Sequence, residues 1–208
     1  MSASNGGSRL LLLRHGESTW NVSGLWAGWG DPQLSDFGER EARILAGKLR
    51  PFGFTKICSS DLARARVTAD ILAIGLGIDP PIIDSRLRER DVGLWAGLSS
   101  AEIDLRWPGR LAACGACDDG PPAGGGEHSE SVVARMQSCL EEVWSTHGHQ
   151  SMVVVSHAGA IRALDRALGS DGAPIANLGG RWLHWDGTTL TCGEPFDPTE
   201  LHPPGTDP

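Results

Sequence analysis

Leu10-Leu11-Leu12-Leu13-Arg14-His15-Gly16-Glu17 sets an apolar run one residue before a histidine, and Met152-Val153-Val154-Val155-Ser156-His157 repeats the arrangement late in the chain. Short apolar runs bounded by polar residues read as buried strands. Each run therefore delivers a histidine at its carboxyl end, where open α/β sheets bind ligands. His15 and His157 are expected to meet over one pocket despite their separation in sequence.

Outward from these two runs, strands and helices alternate. Asp36 with Glu39 three residues on reads as a capped helix start, Ala42, Leu45, Ala46 and Leu49 as its buried face, and Pro51 with Gly53 as its end. Ile57-Cys58 reads as a strand, and Asp61 as the N-cap of a second helix whose core stripe is Leu62, Ala65, Ala69, Leu72 and Ala73. Pro80 to Ile83 fits an edge strand, and Ser99 to Trp107 a short helix stopped by Pro108. Gly109 to His128 is a glycine- and proline-rich loop, followed by a helix over Ser131 to Trp144. Ile161, Leu164 and Leu168 mark a helix closed by Gly169, and Trp182 to Trp185 turns at Asp186-Gly187 into Thr188 to Thr191 as a hairpin. The alternation predicts a single three-layer α/β/α domain with a mostly parallel central sheet over residues 9–193. It carries a lid or insert at about 98–128, a flexible tail at 1–8 and a disordered, proline-rich tail at 194–208.

Composition narrows the function. The chain has 208 residues, 40% of them hydrophobic, and no apolar run approaches the ~20 residues of a membrane span. Met1 to Ser8 has neither a basic nor an apolar leader region, so a soluble, cytoplasmic protein is expected. A net charge of -8 argues against a nucleic-acid surface and equally offers no basic face for a membrane. Five cysteines at irregular spacing do not form a disulfide framework, and Cys114-Gly-Ala-Cys117 stands alone in a loop, which favours incidental thiols over a metal or redox site. Neither metal nor cofactor is expected. No GxGxxG follows the first strand, which excludes a dinucleotide fingerprint.

A dianionic phosphate ester calls for several fixed donors, and the planar fork of arginine suits its oxygens. Arg14 stands beside His15, and Arg64 lies on the first turn of the second helix, just beyond a strand. Helix amino termini attract the same anion.

Four segments in order carry a family resemblance: Arg14-His15-Gly16-Glu17-Ser18-Thr19-Trp20-Asn21, Ser59-Ser60-Asp61-Leu62-Ala63-Arg64-Ala65, Leu87-Arg88-Glu89-Arg90-Asp91-Val92-Gly93 and Ser156-His157-Ala158-Gly159. From about Leu10 to Leu168 the chain resembles the histidine phosphatase superfamily, in its phosphoglycerate-mutase-like branch. The resemblance implies that His15 is the nucleophile of a covalent phosphohistidine mechanism. It implies that Arg14, Arg64 and His157 hold the equatorial phosphoryl oxygens, and that Glu89 donates a proton to the leaving group. Asn21, Gly28 and the backbone at Ala158 and Gly159 are further expected contacts for substrate, Glu17 is a supporting residue, and Trp26, Trp29 and Trp95 are expected around the pocket. His128, His147, His149, His184 and His202 match no motif and are expected at the surface.

The implied activity is metal-independent hydrolysis of a small phosphorylated metabolite. A cofactor-dependent phosphoglycerate mutase is the alternative, since Gly28-Trp29-Gly30-Asp31-Pro32-Gln33-Leu34-Ser35 resembles the mutases. Hydrolysis is favoured because Ala27 replaces a hydroxyl residue, the segment from Glu89 to His157 is shorter than in mutases, and Arg106 and Arg110 match their substrate contacts poorly. A non-catalytic phosphate-binding relative is a second alternative, disfavoured by retention of Arg14, His15, Arg64, Glu89 and His157.

Overall fold

The computed structural model describes residues 9–112, 125–147, 151–186 and 188–200. Six strands form one sheet: β1 (Arg9–Arg14), β2 (Lys56–Ser59), β3 (Ile82–Ile83), β4 (Met152–Ser156), β5 (Gly180–Trp185) and β6 (Leu190–Phe196). Their spatial order is β3-β2-β4-β1-β5-β6. The first four run parallel, while β5 and β6 close the sheet as an antiparallel hairpin. The expected mostly parallel α/β architecture is therefore present.

Register decides where the site forms. β1 pairs with β4 from Leu10↔Met152 to Arg14↔Ser156, so His15 and His157 leave adjacent strands side by side. Pleating sends alternate residues of these apolar runs to opposite faces. Leu10, Leu12 and Val154 pack beneath α5 (Ser129–His147) and α6 (Ala158–Ala167). Leu11, Leu13, Val153 and Val155 pack against α2 (Asp36–Leu49) and α3 (Ala63–Leu76). Burial on both faces explains why the strands read as continuous apolar runs. Two shorter helices, α1 (Thr19–Val22) and α4 (Ser100–Arg106), lie in the connections.

The helix caps differ from expectation. Ser35, not Asp36, caps α2, its hydroxyl accepting from Gly38 N–H, while Asp36 is the first helical residue. Asp61 does not cap the second helix: it pairs with Arg88, and the first N–H of α3, on Ala63, donates to Asp31 at 2.7 Å. A carboxylate from a distant loop thus replaces the local cap. The expected disordered tail also begins too early, because Glu194–Phe196 belong to β6, with Pro195 tolerated on an outer strand. Residues 110–112 are helical, not loop. Residues 1–8, 113–124 with Cys114 and Cys117, and 201–208 lie outside the described residues. Trp95 does not line a pocket: it is fully buried with Val92 and Ile103, in a small core that Trp26, Leu98, Trp107 and Leu111 complete.

Candidate active site

Five predicted catalytic side chains converge at the carboxyl ends of β1, β2 and β4. Arg14, His15, Arg64 and Glu89 share one cavity of about 550 Å³ with Asn21, Gly28, Ala158 and Gly159. His157 is fully buried, its ring edge-on to that of His15 with centroids 5.0 Å apart.

The orientation of His15 follows from its two ring nitrogens. Nδ1 lies 2.7 Å from the Gly16 carbonyl oxygen, an acceptor only, so Nδ1 carries the proton and donates it there. Nε2 is then the lone-pair nitrogen, and Arg64 Nε donates to it at 3.2 Å. Burial is the largest cause holding His15 well below the ordinary histidine range, and the charges of Arg64 and Arg14 add to it. Burial and the same arginines hold His157 down as well. Both rings are neutral at pH 7.

Arg64 pairs with neither Asp61 nor Glu39. Its Nη1 and Nη2 donate to the carbonyls of Gly30 and Gly28 at 2.8 and 2.9 Å, so Gly28 acts here by seating the arginine. That approach demands glycine, since Gly28 has φ +48 and a Cβ there would lie 2.5 Å from a Val92 methyl. Thr68, one turn beyond Arg64, donates its hydroxyl proton to the Arg64 carbonyl at 2.7 Å and accepts from Gly16 N–H at 3.0 Å. This buried hydroxyl fastens the histidine loop to the arginine helix. Sequence reasoning missed it, although its four-residue spacing from Arg64 puts both on one helical face.

Glu89 is set by backbone donors. Its Oε1 accepts from Arg90 N–H at 2.7 Å and Ala160 N–H at 2.9 Å, and its Oε2 from Gly159 N–H at 3.1 Å. The Gly159 N–H expected to face substrate is thus turned to the carboxylate. Arg135, also unanticipated, donates to the carbonyls of Arg86, Arg88 and Glu89 and to the Glu127 carboxylate, fixing the segment that carries Glu89. Trp29 donates from Nε1 to the Glu89 carbonyl at 2.7 Å and stacks over Arg88. Asn21 lines the cavity while its amide oxygen accepts from Ser18 N–H, the Ser18 hydroxyl and Asn177 Nδ2. Glu17 accepts from the hydroxyl of the α2 cap Ser35.

Buried polar atoms without partners are rare in folded proteins and ask for an explanation. Among the described residues they are Arg14 Nε, both ring nitrogens of His157, Ser129 Oγ and Trp95 Nε1. All but the last belong to this site. Two guanidinium groups, a lone-pair imidazole nitrogen and an unpartnered buried imidazole suit a tetrahedral oxyanion. Among the described residues no group of His, Cys, Asp and Glu side chains is placed to hold a metal ion, and no helix is long and apolar enough to cross a membrane.

Comparison with known proteins agrees with this chemistry. The family described as "Histidine phosphatase superfamily (branch 1)" matches residues 10–193. Phosphoserine phosphatase 1 of Hydrogenobacter thermophilus is 36% identical over 160 residues, covering 77% of this chain and 75% of that protein. A 2,3-bisphosphoglycerate-dependent phosphoglycerate mutase of Methylobacterium is 33% identical, covering 87% of this chain and 88% of the other. Among solved structures, a mycobacterial glucosyl-3-phosphoglycerate phosphatase in complex with VO3 superposes with a TM-score of 0.81 at 32% identity, covering 89% of this chain and 96% of that one.

Proposed function

The chain belongs to the histidine phosphatase superfamily, and from that premise we propose that it hydrolyses small phosphomonoesters through a phosphohistidine at His15, without metal or cofactor. The observation that carries this reading is the proton fixed on His15 Nδ1 by the Gly16 carbonyl, which leaves Nε2 as the nucleophile beside Arg64. His15 Nε2 attacks phosphorus, the P–O bond to the leaving group breaks, and Glu89 gives its proton to the departing oxygen. Water then attacks the phosphorus, losing a proton to Glu89. The N–P bond breaks and inorganic phosphate leaves. Arg14, Arg64 and His157 hold the equatorial oxygens through both steps, supplying the charge stabilisation on which phosphoryl transfer depends.

Hydrolysis is favoured over mutase transfer because Arg106 and Arg110, the substitutes considered for the mutase contacts, are exposed and do not line the cavity. Free thiols at Cys58, Cys139 and Cys192 support a reducing, cytoplasmic setting. The test is phosphate release from p-nitrophenyl phosphate in EDTA, with rapid-quench trapping of an acid-labile phosphoenzyme. His15→Ala is expected to abolish both. Normal phosphoenzyme in that variant, or rapid interconversion of 3- and 2-phosphoglycerate with 2,3-bisphosphoglycerate and slow release, would overturn the proposal.

A further inference from the structure

The chain between α6 and β5 passes behind the nucleophile and is tied to it repeatedly. Arg14 donates from Nη1 to the Ile175 carbonyl at 2.7 Å and from its backbone N–H to the Gly179 carbonyl at 2.8 Å. The His15 carbonyl in turn accepts from Leu178 N–H at 3.4 Å and from Asn177 Nδ2 at 3.1 Å. Gly179 N–H closes the turn by donating to the Ala176 carbonyl at 3.0 Å. The third residue of that turn is Leu178, with φ +60, the only non-glycine residue of positive φ among the described residues. Such a position favours glycine or asparagine. Leucine is held there because its side chain is buried in the same core cluster as Leu13 and Leu45. Backbone strain kept in place by its surroundings collects at functional sites, and here the strained residue directly follows Asn177.

The partners of each amide fix which end is which. Asn177 reaches the His15 carbonyl oxygen, and a carbonyl only accepts, so the nitrogen of Asn177 is the end that points there. The same nitrogen lies 3.3 Å from Asn21 Oδ1, which also accepts from Ser18 N–H at 3.1 Å. The Asn21 oxygen is therefore turned to the protein, and its Nδ2, a donor, is the end left for a phosphoryl oxygen in the cavity that Asn21 lines. A flipped amide would set an acceptor against the anion and a donor against the donors of Ser18 and Asn177. Ser18 belongs to the same local cap and moves with Asn21. Asn177, 156 residues on, ties that amide to the backbone of the nucleophile. Asn177 does not line the cavity itself, so it reaches the substrate only through Asn21.

We infer that Asn177 is a positioning residue for phosphoryl transfer: anchored on the His15 carbonyl by the strained turn at Leu178, it holds the Asn21 amide with its nitrogen toward the transferring group. The inference rests on the phosphohistidine reading and adds to it a residue outside the four segments that carry the family resemblance.

The test is a double-mutant cycle on kcat/KM for p-nitrophenyl phosphate, with circular dichroism and urea denaturation to show that each variant is folded. Asn177→Ala is expected to lower kcat/KM about tenfold, the weight of one hydrogen bond to a charged group. Asn21→Ala lowers it by at least as much. If Asn177 acts through Asn21, the double variant lies within about threefold of Asn21→Ala alone, whereas independent losses multiply. A turn that merely supports the fold would lower activity equally in both backgrounds. Where Asn177→Ala does not fold, Asn177→Ser removes the amide while keeping a residue that turns favour. A loss below twofold in the folded single variant, a double variant more than threefold below Asn21→Ala, or failure of both Asn177 variants to fold overturns the assignment. Absence of turnover in the wild-type protein defeats the phosphatase reading instead. The cycle is then read on the Kd for inorganic phosphate by titration calorimetry, with the same thresholds, and a wild-type protein that binds no phosphate overturns the role of Asn177 as well.

Discussion

Replacing Gly159 with alanine isolates the part played by Glu89. Residue 159 is helical, so alanine costs no backbone strain and gains about 1 kcal/mol of helix propensity. The added Cβ, however, would lie 2.6 Å from Glu89 Oε1 and 3.2 Å from its Cδ. Ordinary contact begins near 3.4 Å, so the carboxylate must retreat by about 0.8 Å and strain its bonds from Gly159 and Ala160 N–H. Hydrogen bonds to charged groups contribute about 1.5–3 kcal/mol each, which offsets the propensity gain and leaves global stability within roughly 2 kcal/mol of wild type. Catalysis is more sensitive, because a misplacement near 1 Å can cost about 100-fold. The loss is expected to depend on the leaving group. Alkyl phosphates, whose alkoxide requires a proton, should slow by about 100-fold in kcat/KM, and p-nitrophenyl phosphate by less than about fivefold. A leaving-group series measured on both proteins, with urea denaturation as a control for folding, reads the difference. Equal losses across the series would refute the reasoning and return Gly159 N–H to the role of a phosphate donor.

Two further predictions concern stability. His15 and His157 are held well below their ordinary values, mainly by burial, so between the ordinary value near pH 6.5 and the folded values the unfolded chain binds more protons. Stability from this source is therefore complete above pH 6.5 and falls as pH drops, by about 1.4 kcal/mol per pH unit for each histidine. Urea midpoints from pH 7.5 to 5 should show a steeper acid loss in the wild-type protein than in His15→Asn/His157→Asn; matching slopes would contradict it. Separately, Asp165 is fully buried and its Oδ2 accepts from Arg181 Nε and Nη2 at 3.1 and 3.0 Å. Arg181→Met strands that carboxylate and should cost about 3–5 kcal/mol, whereas Asp165→Leu/Arg181→Met should recover part of the loss. A double variant less stable than the single would exclude the stranded charge as the cause.

Fold and reactive centre were legible because both arise from local patterns. The runs at Leu10 and Met152 are apolar since both sheet faces are covered, and each is followed one residue on by its histidine, so strand and candidate site residue are written together. Capping by tertiary contact was not legible: α3 draws on Asp31, far upstream, while the nearer Asp61 is claimed by Arg88. Trp95 misled for a related reason, because a tryptophan in a glycine-flanked segment signals a loop and not the miniature core that Val92 and Ile103 build around it. Arg162 and Arg166 look like the solvent face of an amphipathic helix. Only the placement of α6 over the cavity changes that, although the four-residue spacing Ala158, Arg162, Arg166 behind His157 was present to be read.

The central place of β1 bears on biosynthesis. During translation Arg9–Arg14 emerges well before its partners, because its parallel neighbour β4 and antiparallel neighbour β5 lie about 140 residues or more downstream. At 5–20 residues per second, four consecutive leucines wait roughly 7–30 s without their partners. The nascent chain thus carries an unsatisfied, aggregation-prone strand until β4 and β5 emerge. Ribosome-bound chains truncated before Met152 should engage holdase chaperones, and release from them should coincide with appearance of the β1–β4 pair.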